Sequence, residues 1–281
     1  MKNITNIDLA SATTVYTGIN FLFSILMAVV ILIIAGIFGG LNFITGFLSI
    51  VSTLVFGTVV YSIFNGFAQA YIYNSLVKIF NPIAIEIKDN KIIEKISVIR
   101  TAIIVSLVSL IILVILYLAT IFIIPMLLSA LIQIFMFSGQ LAIAMLLYQI
   151  FTYYSDPMII ILLLLVIFIS AFLSTAVCCY LYNVISPKVK QIEVRLSTEN
   201  GFISIDYINP INVGIIFAVI SLIVNIVEGI VIGLVTTQYI QIAVNGVIGF
   251  IGSFIVIALL AIFYNFLVKY TGTLKFKLES Q

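Results

Sequence analysis

Glu228 is an ionisable side chain deep in a predicted membrane span. A charge near the bilayer centre costs at least about 2.5 kcal/mol on insertion scales, so membrane carboxylates usually face the bundle interior or a water-filled cavity. Asn225 lies one turn earlier on the same helix face, and Asn65 and Gln69 of another span are candidate partners. Two interpretations follow: a protonated, hydrogen-bonded structural glutamate, or a site that handles ions or protons.

A second polar motif is the dipeptide Tyr-Asn, which occurs at the end of three long apolar runs: Tyr73-Asn74, Tyr182-Asn183 and Tyr264-Asn265. Amphipathic tyrosine rings favour the headgroup level of a membrane. We expect the asparagines to bond to loop backbone where each helix turns into the next segment. Binding of a cytoplasmic ligand or partner is the alternative role for this motif.

Other chemistry is largely excluded by composition. The chain has no His, which removes Ser-His and Cys-His hydrolytic arrangements and histidine metal sites. Cys178 and Cys179 are adjacent within an apolar run, where they are expected to act as small packing residues. No catalytic, cofactor or metal site is predicted, so the chain is not expected to be an enzyme. The absence of a dense basic cluster with stacking aromatics also argues against nucleic-acid binding.

The elements that position these residues are membrane helices. Of the 281 residues, 64% are hydrophobic and 8% are charged, and the mean hydropathy is +1.36. The apolar runs exceed the roughly 20 residues needed to cross a bilayer. Six spans are predicted at about 15–38, 53–79, 101–125, 157–184, 211–236 and 247–269. Asp156-Pro157 and Asn209-Pro210 are typical helix starts, with the cap residue followed by proline at the first helical position.

Two apolar stretches do not fit the six spans. Residues 126–152 could form a seventh span, but we favour an interfacial or re-entrant segment, because a seventh span would break the distribution of basic residues. The stretch 39–52, with Gly39, Gly40 and Asn42, resembles a shorter version of the same feature. Re-entrant backbone is tolerated only where protein or a water-filled cavity covers it.

Basic residues fix the expected orientation. All 12 Lys and Arg residues fall on one side of the six predicted spans. The positive-inside rule then places both termini in the cytoplasm of a multi-pass cell-membrane protein. The abundance of Ile and Lys is typical of an AT-rich, archaeal-like genome.

Alternating apolar residues follow each Tyr-Asn pair at the same distances, ten, twelve and fourteen positions after the tyrosine: Ile83, Ile85 and Ile87; Ile192, Val194 and Leu196; Leu274, Phe276 and Leu278. This spacing predicts outgoing strands at 83–88, 192–197 and 274–279. Turns at Asp89-Asn90 and at 198–201 would lead into return strands at 91–98 and 202–207. The last strand lacks a return strand, so we expect it to pair with segment 4–9, where Ile7-Asp8 resembles Ile205-Asp206.

Together these patterns predict an all-α transmembrane bundle of six helices in three tandem two-helix repeats. A small cytoplasmic β element of up to six short strands would accompany it, with the two termini paired. A repeat at fixed spacing indicates copies of one structural unit, here 1–89, 90–199 and 200–281. In each even-numbered span, small residues recur every fourth position, as at Ser62, Gly66 and Ala70, which predicts close helix packing.

The Tyr-Asn segments resemble an uncharacterised group of small archaeal and bacterial membrane proteins. In that group the second helix ends in Tyr-Asn, and a Gly-Gly turn and a short amphipathic strand follow. The Gly-Gly region is occupied here by Asn81-Pro82, Lys190-Gln191 and Thr271-Gly272. The resemblance implies a membrane fold and lends no activity.

Two functions fit the sequence. The first is a non-enzymatic scaffold or accessory subunit in the lipid bilayer that associates with other membrane proteins or with itself. The alternative is an ion or small-solute transporter or channel that uses Glu228, since repeats and buried carboxylates occur in such proteins.

Overall fold

A computed structural model describes residues 1–121, 123–199, 201–236 and 239–280 of the chain. Side chains at 38–46, 49, 119–120, 123, 153–155, 157, 231–236 and 239–243 lie outside this description. The elements are β1 (Lys2–Ile7), α1 (Leu9–Leu76), β2 (Ala84–Lys88), β3 (Ile92–Ile96), α2 (Val98–Thr120), α3 (Ile123–Phe137), α4 (Leu141–Ser155), α5 (Pro157–Ile185), β4 (Ile192–Glu199), β5 (Phe202–Ile208), α6 (Pro210–Thr236), α7 (Tyr239–Thr271) and β6 (Leu274–Ser280).

Six helical segments in the described part of the chain are long and apolar enough to cross a membrane: Leu9–Ile37, Ile50–Leu76, Val98–Leu118, Met158–Ile185, Pro210–Ile230 and Val244–Thr271. The six predicted apolar helices are therefore confirmed, and they are consistent with a multi-pass membrane protein. The orientation of the termini stays a prediction.

The first two spans belong to one helical stretch, α1, which reverses direction. Asn65 Nδ2 donates a hydrogen bond of 2.7 Å to the hydroxyl of Tyr16, 49 residues earlier. A straight helix would separate these residues by about 73 Å, so the chain turns back between the two spans. Helical backbone continues through 39–52, where the sequence predicts an interruption. The side chains of Gly39, Gly40 and Asn42 lie outside the described part.

Residues 126–152 form a helical hairpin instead of a seventh span. Helices α3 and α4 contain 15 residues each and meet at Gly139, which has a φ of +77°. Fifteen residues extend about 22 Å, which is shorter than the roughly 30 Å hydrocarbon core. Neither helix crosses a bilayer alone, which agrees with the preference for a non-spanning segment.

The six strands form a closed antiparallel barrel in the order β1-β2-β3-β4-β5-β6. Pairing of β1 with β6 joins the two ends of the chain, as the sequence predicts, and removes the exposed sheet edges. The tight turn between β2 and β3 has positive φ angles at Asp89 and Asn90, the two central residues of a turn closed by the bond from the Lys91 N–H to the Lys88 carbonyl. Asn200, in the second predicted turn, lies outside the described residues.

In each outgoing strand, the second of the three alternating apolar residues is the buried one. Ile85, Val194 and Phe276, each twelve residues after a Tyr-Asn tyrosine, are buried. The predicted equivalence of Ile7-Asp8 with Ile205-Asp206 is wrong by three residues. Asp8 caps α1 through its bond from Ser11 N–H, so it corresponds to the residue that caps α6.

That residue is Asn209, whose Oδ1 accepts the N–H groups of Ile211 and Asn212 at 3.2 Å each. Asp156 likewise accepts from the N–H of Met158 at 2.9 Å, and α5 begins at the following proline. Both predicted proline-containing helix starts are confirmed.

The chain divides into two compact units. The first comprises Met1–Thr101 and Val177–Gln281 and contains the barrel, α1, α6 and α7. The second, Ala102–Ala176, contains α3, α4 and most of α2 and α5. The division into three tandem modules stays a prediction.

Candidate functional site

The asparagine of the first Tyr-Asn pair binds a backbone corner between a strand and a helix. Asn74 Oδ1 accepts the N–H of Ile7 at 2.8 Å, and its Nδ2 donates to the carbonyl of the same residue at 2.7 Å. A primary amide carries one acceptor and two donors, so it pairs with a peptide backbone as a neighbouring strand would. Ile7 ends β1, and α1 begins two residues later.

The other two asparagines make the same pair of bonds. Asn183 accepts the N–H of Ile96 at 2.9 Å and donates to its carbonyl at 2.7 Å. Asn265 accepts the N–H of Ile208 at 2.9 Å and donates to its carbonyl at 2.7 Å. In all three cases the bound isoleucine ends an odd-numbered strand and lies two residues before a helix. The asparagines therefore hold three strand-to-helix corners.

The tyrosines bond to the same strands. The Tyr73 hydroxyl donates to the Ile4 carbonyl at 2.6 Å. The hydroxyls of Tyr182 and Tyr264 donate to the carbonyls of Ile93 and Ile205. We call each Tyr-Asn pair with its backbone partners a junction clamp.

Each tyrosine hydroxyl also contacts the strand that follows its own helix. Tyr182 accepts the N–H of Ile192 at 3.4 Å, and Tyr264 accepts the N–H of Leu274 at 3.3 Å. For Tyr73 the corresponding backbone neighbour is Ile83, the residue before β2. One hydroxyl thus bridges the strand before the helices and the strand after them.

The tyrosine rings are buried at 5%, 2% and 4% exposure for Tyr73, Tyr182 and Tyr264. Tyr182 packs with Ile216 and Ile220 of α6 in the hydrophobic core. Because the hydroxyls are engaged by backbone groups and the rings are enclosed, the clamps join helices to the barrel. The asparagines bond to backbone as expected, but at the corner that precedes a helix and not where their own helix turns into the next segment. The depth of the tyrosine rings in the membrane stays a prediction.

The candidate intramembrane polar residues do not converge. Glu228 is exposed on α6. Asn225 bonds within its own helix, where Nδ2 donates to the Ser221 carbonyl at 2.7 Å and to its hydroxyl at 3.1 Å. Asn65 is buried and donates to Tyr16, and Gln69 is half-buried. Among the described residues no hydrogen bond links Glu228 to any of the other three.

The exposed position of Glu228 also changes its expected environment. It lies 18 residues into α6, about 27 Å from the start of the helix and about 12 Å from its end. A side chain near a helix end can extend its charged group toward the membrane interface. The carboxylate is therefore displaced from the middle of the helix, and its side chain is exposed.

Sequence reasoning missed a close contact between α6 and α7. A Cβ added at Gly249 would lie 2.5 Å from Asn225 Nδ2. Ser221 Oγ also donates to the Gly249 carbonyl at 3.3 Å. Asn225 thus packs on a glycine of the neighbouring helix. The sequence of α7 does not single out Gly249 as the partner of Asn225, because this helix contains several glycines.

The predicted small-residue stripe of the second span is confirmed as a packing surface at its centre. A Cβ added at Gly66 would lie 3.1 Å from Tyr16 Cβ and 3.2 Å from Thr13 Cα. Ser62 and Ala70, one turn to either side, are buried. Small side chains let helix backbones approach closely in lipid.

A groove of about 290 Å³ lies between the two spans of α1. Its polar lining residues are Asn20, Ser24 and Thr58. All three donate to carbonyls of their own helix. The remaining walls are apolar, and the described residues contain no cluster of three or more potential metal-ligating side chains.

Charged pairs in the described chain lie on the barrel. Lys275 Nζ donates to Glu199 Oε2 at 2.7 Å, and Lys95 lies 3.9 Å from Glu86. The hydrogen bond from Lys275 lowers the pKa of the Glu199 carboxyl, and the same bond raises the pKa of Lys275. The Lys95–Glu86 pair connects the neighbouring strands β3 and β2, whereas the Lys275–Glu199 pair connects β6 with β4 across the intervening strand β5.

No protein-family model, no curated protein and no solved structure matches this chain. Its function must therefore be inferred from its own geometry.

Proposed function

We propose that this protein is a non-enzymatic membrane scaffold or accessory subunit that presents a rigid β-barrel on membrane helices. The observation that carries this proposal is the set of three junction clamps. Each clamp uses its polar side chains to bond barrel backbone, so these groups hold structure in place and are not free for chemistry. The occupant of the barrel surface would be another membrane protein or a second copy of the chain.

The distribution of charge supports a cytoplasmic barrel. The 12 Lys and Arg residues all lie in the strands, in their turns or at the adjoining helix ends. By the positive-inside rule, this end of the molecule belongs in the cytoplasm of the cell membrane. A single cysteine in the β2–β3 turn, Asn90→Cys with Cys178→Ala and Cys179→Ala, tests the orientation. Labelling by an impermeant maleimide in inverted vesicles, and not in intact cells, is the expected result.

Three tandem modules are part of the proposal. Residues 1–89, 90–199 and 200–281 each contribute a strand, membrane helices, a junction clamp and a second strand. The middle module differs because it also contains the α3–α4 hairpin. A repeated hydrogen-bonding pattern of this kind supports copying of one unit.

The scaffold role is tested by purifying the full-length protein from native membranes in mild detergent and measuring its native mass. The expected result is a complex of defined stoichiometry that survives in Glu228→Gln. A monomer that binds nothing at native expression would overturn the scaffold proposal. The same purified wild-type and Glu228→Gln proteins can be reconstituted in liposomes, where a flux assay tests the transporter alternative.

Transport is the alternative because α6 exposes a carboxylate within its apolar span. If Glu228 carries ions or protons, liposome flux should be present in the wild type and absent in Glu228→Gln. That outcome would replace the scaffold assignment with a transporter. Equal, background-level flux in both proteins supports the scaffold.

A further inference from the structure

Exposed lysines gather just beyond the three junction clamps. Lys78, Lys188, Lys190 and Lys269 lie five to eight residues after the clamp tyrosines, and all four are exposed. Each clamp ties its tyrosine to an equivalent position in an odd-numbered strand. The four lysines therefore lie at a similar level, where the helices meet the barrel. We call them the junction lysines.

The junction lysines have no carboxylate partner within the described chain. Its two ion pairs are Lys95–Glu86 and Lys275–Glu199, both on the strands. Glu193, another barrel carboxylate, accepts a hydrogen bond from Asn209 at 3.0 Å. Among the described residues, no carboxylate therefore neutralises the junction lysines by direct contact.

Exposed apolar side chains lie directly beside these lysines. Ile79 and Phe80 follow Lys78, Val189 separates Lys188 from Lys190, and Tyr270 follows Lys269. Ile79 is 79% exposed and Tyr270 is 73% exposed. In bulk water this combination would leave large apolar surfaces solvated, whereas at a membrane interface lipid covers them.

Aromatic residues mark the same boundary on the helices. Tyr71 and Tyr180 are exposed and lie seven and eight residues before Lys78 and Lys188, about 10–12 Å along the chain. Tyrosine is enriched at the headgroup level. The junction lysines therefore lie at or just outside the depth of the lipid phosphates.

We propose that the junction lysines and their apolar neighbours form a binding collar for anionic phospholipids. The ammonium groups donate to the phosphate oxygens, and Ile79, Phe80, Val189 and Tyr270 contact the glycerol and upper acyl region. Attraction of one lysine to an anionic membrane surface changes association about fivefold. This inference goes beyond the scaffold role and does not depend on it.

The test compares two charge-matched variants of the full-length protein in detergent. The junction variant is K78Q/K188Q/K190Q/K269Q, and the control, K2Q/K88Q/K91Q/K277Q, removes four lysines from the strands and turn of the barrel. Phosphatidylglycerol or phosphatidylcholine is added at equal mole fraction, and the melting temperature is followed by circular dichroism. The wild type and control should melt higher in phosphatidylglycerol, and the junction variant should lose most of that difference.

The dependence on salt is a second test, because ions in solution screen electrostatic attraction beyond about 8 Å at physiological ionic strength. The phosphatidylglycerol effect should shrink in 0.5 M NaCl. Equal loss in both variants, or a full response in the junction variant, would overturn the collar. An equal shift with inorganic phosphate would assign a free-anion site instead of a lipid site.

If the junction variant does not fold, the lipid preference of the wild-type protein alone tests the proposal. In native mass spectrometry from mixed micelles, it should retain phosphatidylglycerol at least several-fold more than phosphatidylcholine. Equal retention of the two lipids contradicts the proposal.

Discussion

Replacing Asn265 with alanine removes both side-chain hydrogen bonds that hold the Ile208 corner, and it leaves the Ile208 N–H and carbonyl without those partners. Each bond contributes about 0.5–1.5 kcal/mol, so the pair contributes roughly 1–3 kcal/mol. The corner is part-buried, which limits replacement by water. We expect Asn265→Ala to lower the free energy of unfolding by about 2 kcal/mol.

The measurement is the apparent melting temperature of the detergent-solubilised protein by circular dichroism. A loss of about 2 kcal/mol corresponds to a fall of roughly 4–8 °C for a protein of this size range. Asn212→Ala is the matched control, because it removes one 3.3 Å bond to an exposed Glu193 carboxylate. That control should change the melting temperature by less than about 2 °C.

Asn265→Asp separates the two bonds of the clamp. A carboxylate can still accept the Ile208 N–H, but it cannot donate to the Ile208 carbonyl when ionised. The aspartate variant should therefore be no more stable than the alanine variant. If Asn265→Ala melts together with Asn212→Ala, the clamp does not stabilise the fold and the reasoning is refuted.

Three more outcomes are expected. Tyr264→Phe keeps the buried ring but removes the hydroxyl that donates to β5, which should lower stability by about 1–2 kcal/mol in the same melting assay. Gly249→Ala should destabilise by about 1–3 kcal/mol, because its Cβ would lie 2.5 Å from a side-chain amide of α6. Gly252→Ala, with nothing within 4 Å of its added Cβ, is the control and should not destabilise. Lys275→Gln should raise the pKa of Glu199 toward its usual value in a carbon-13 titration. Since the folded-state pKa is lowered, the stabilisation is present at neutral pH and is lost as the pH falls through that pKa; an unchanged titration would contradict the assigned hydrogen bond.

The membrane spans and the barrel strands were predictable because each has a strong local signal. Span length follows directly from bilayer thickness, and the period-two alternation at Ile83, Ile85 and Ile87 is characteristic of a half-buried strand. Pairing of the termini followed from counting an outgoing strand that lacks a return partner. The register of β1 was missed because Ile7-Asp8 and Ile205-Asp206 match in letters, while the helix cap at Asp8 fixes the structural equivalence.

The sequence could not predict which face of each helix is buried and which is exposed. In water, a buried helix face is apolar and the opposite face is polar, but lipid-facing residues are as apolar as buried ones. Asn225 and Glu228 therefore look alike in sequence, although one packs against Gly249 and the other is exposed. The same loss of contrast left the helix boundaries within 126–152 unpredicted, although the sequence favoured a non-spanning segment there.

The junction clamps also explain how so small a barrel can be stable. Its strands contain five to eight residues, and its buried side chains among the described residues are few: Ala84, Ile85, Val194, Ser204 and Phe276. Short strands with so little apolar area need support from other elements. The clamps provide that support by fixing each odd-numbered strand where it enters a helix. Because the barrel is closed, every strand has two neighbours, so loosening one corner weakens the ladders on both sides of it.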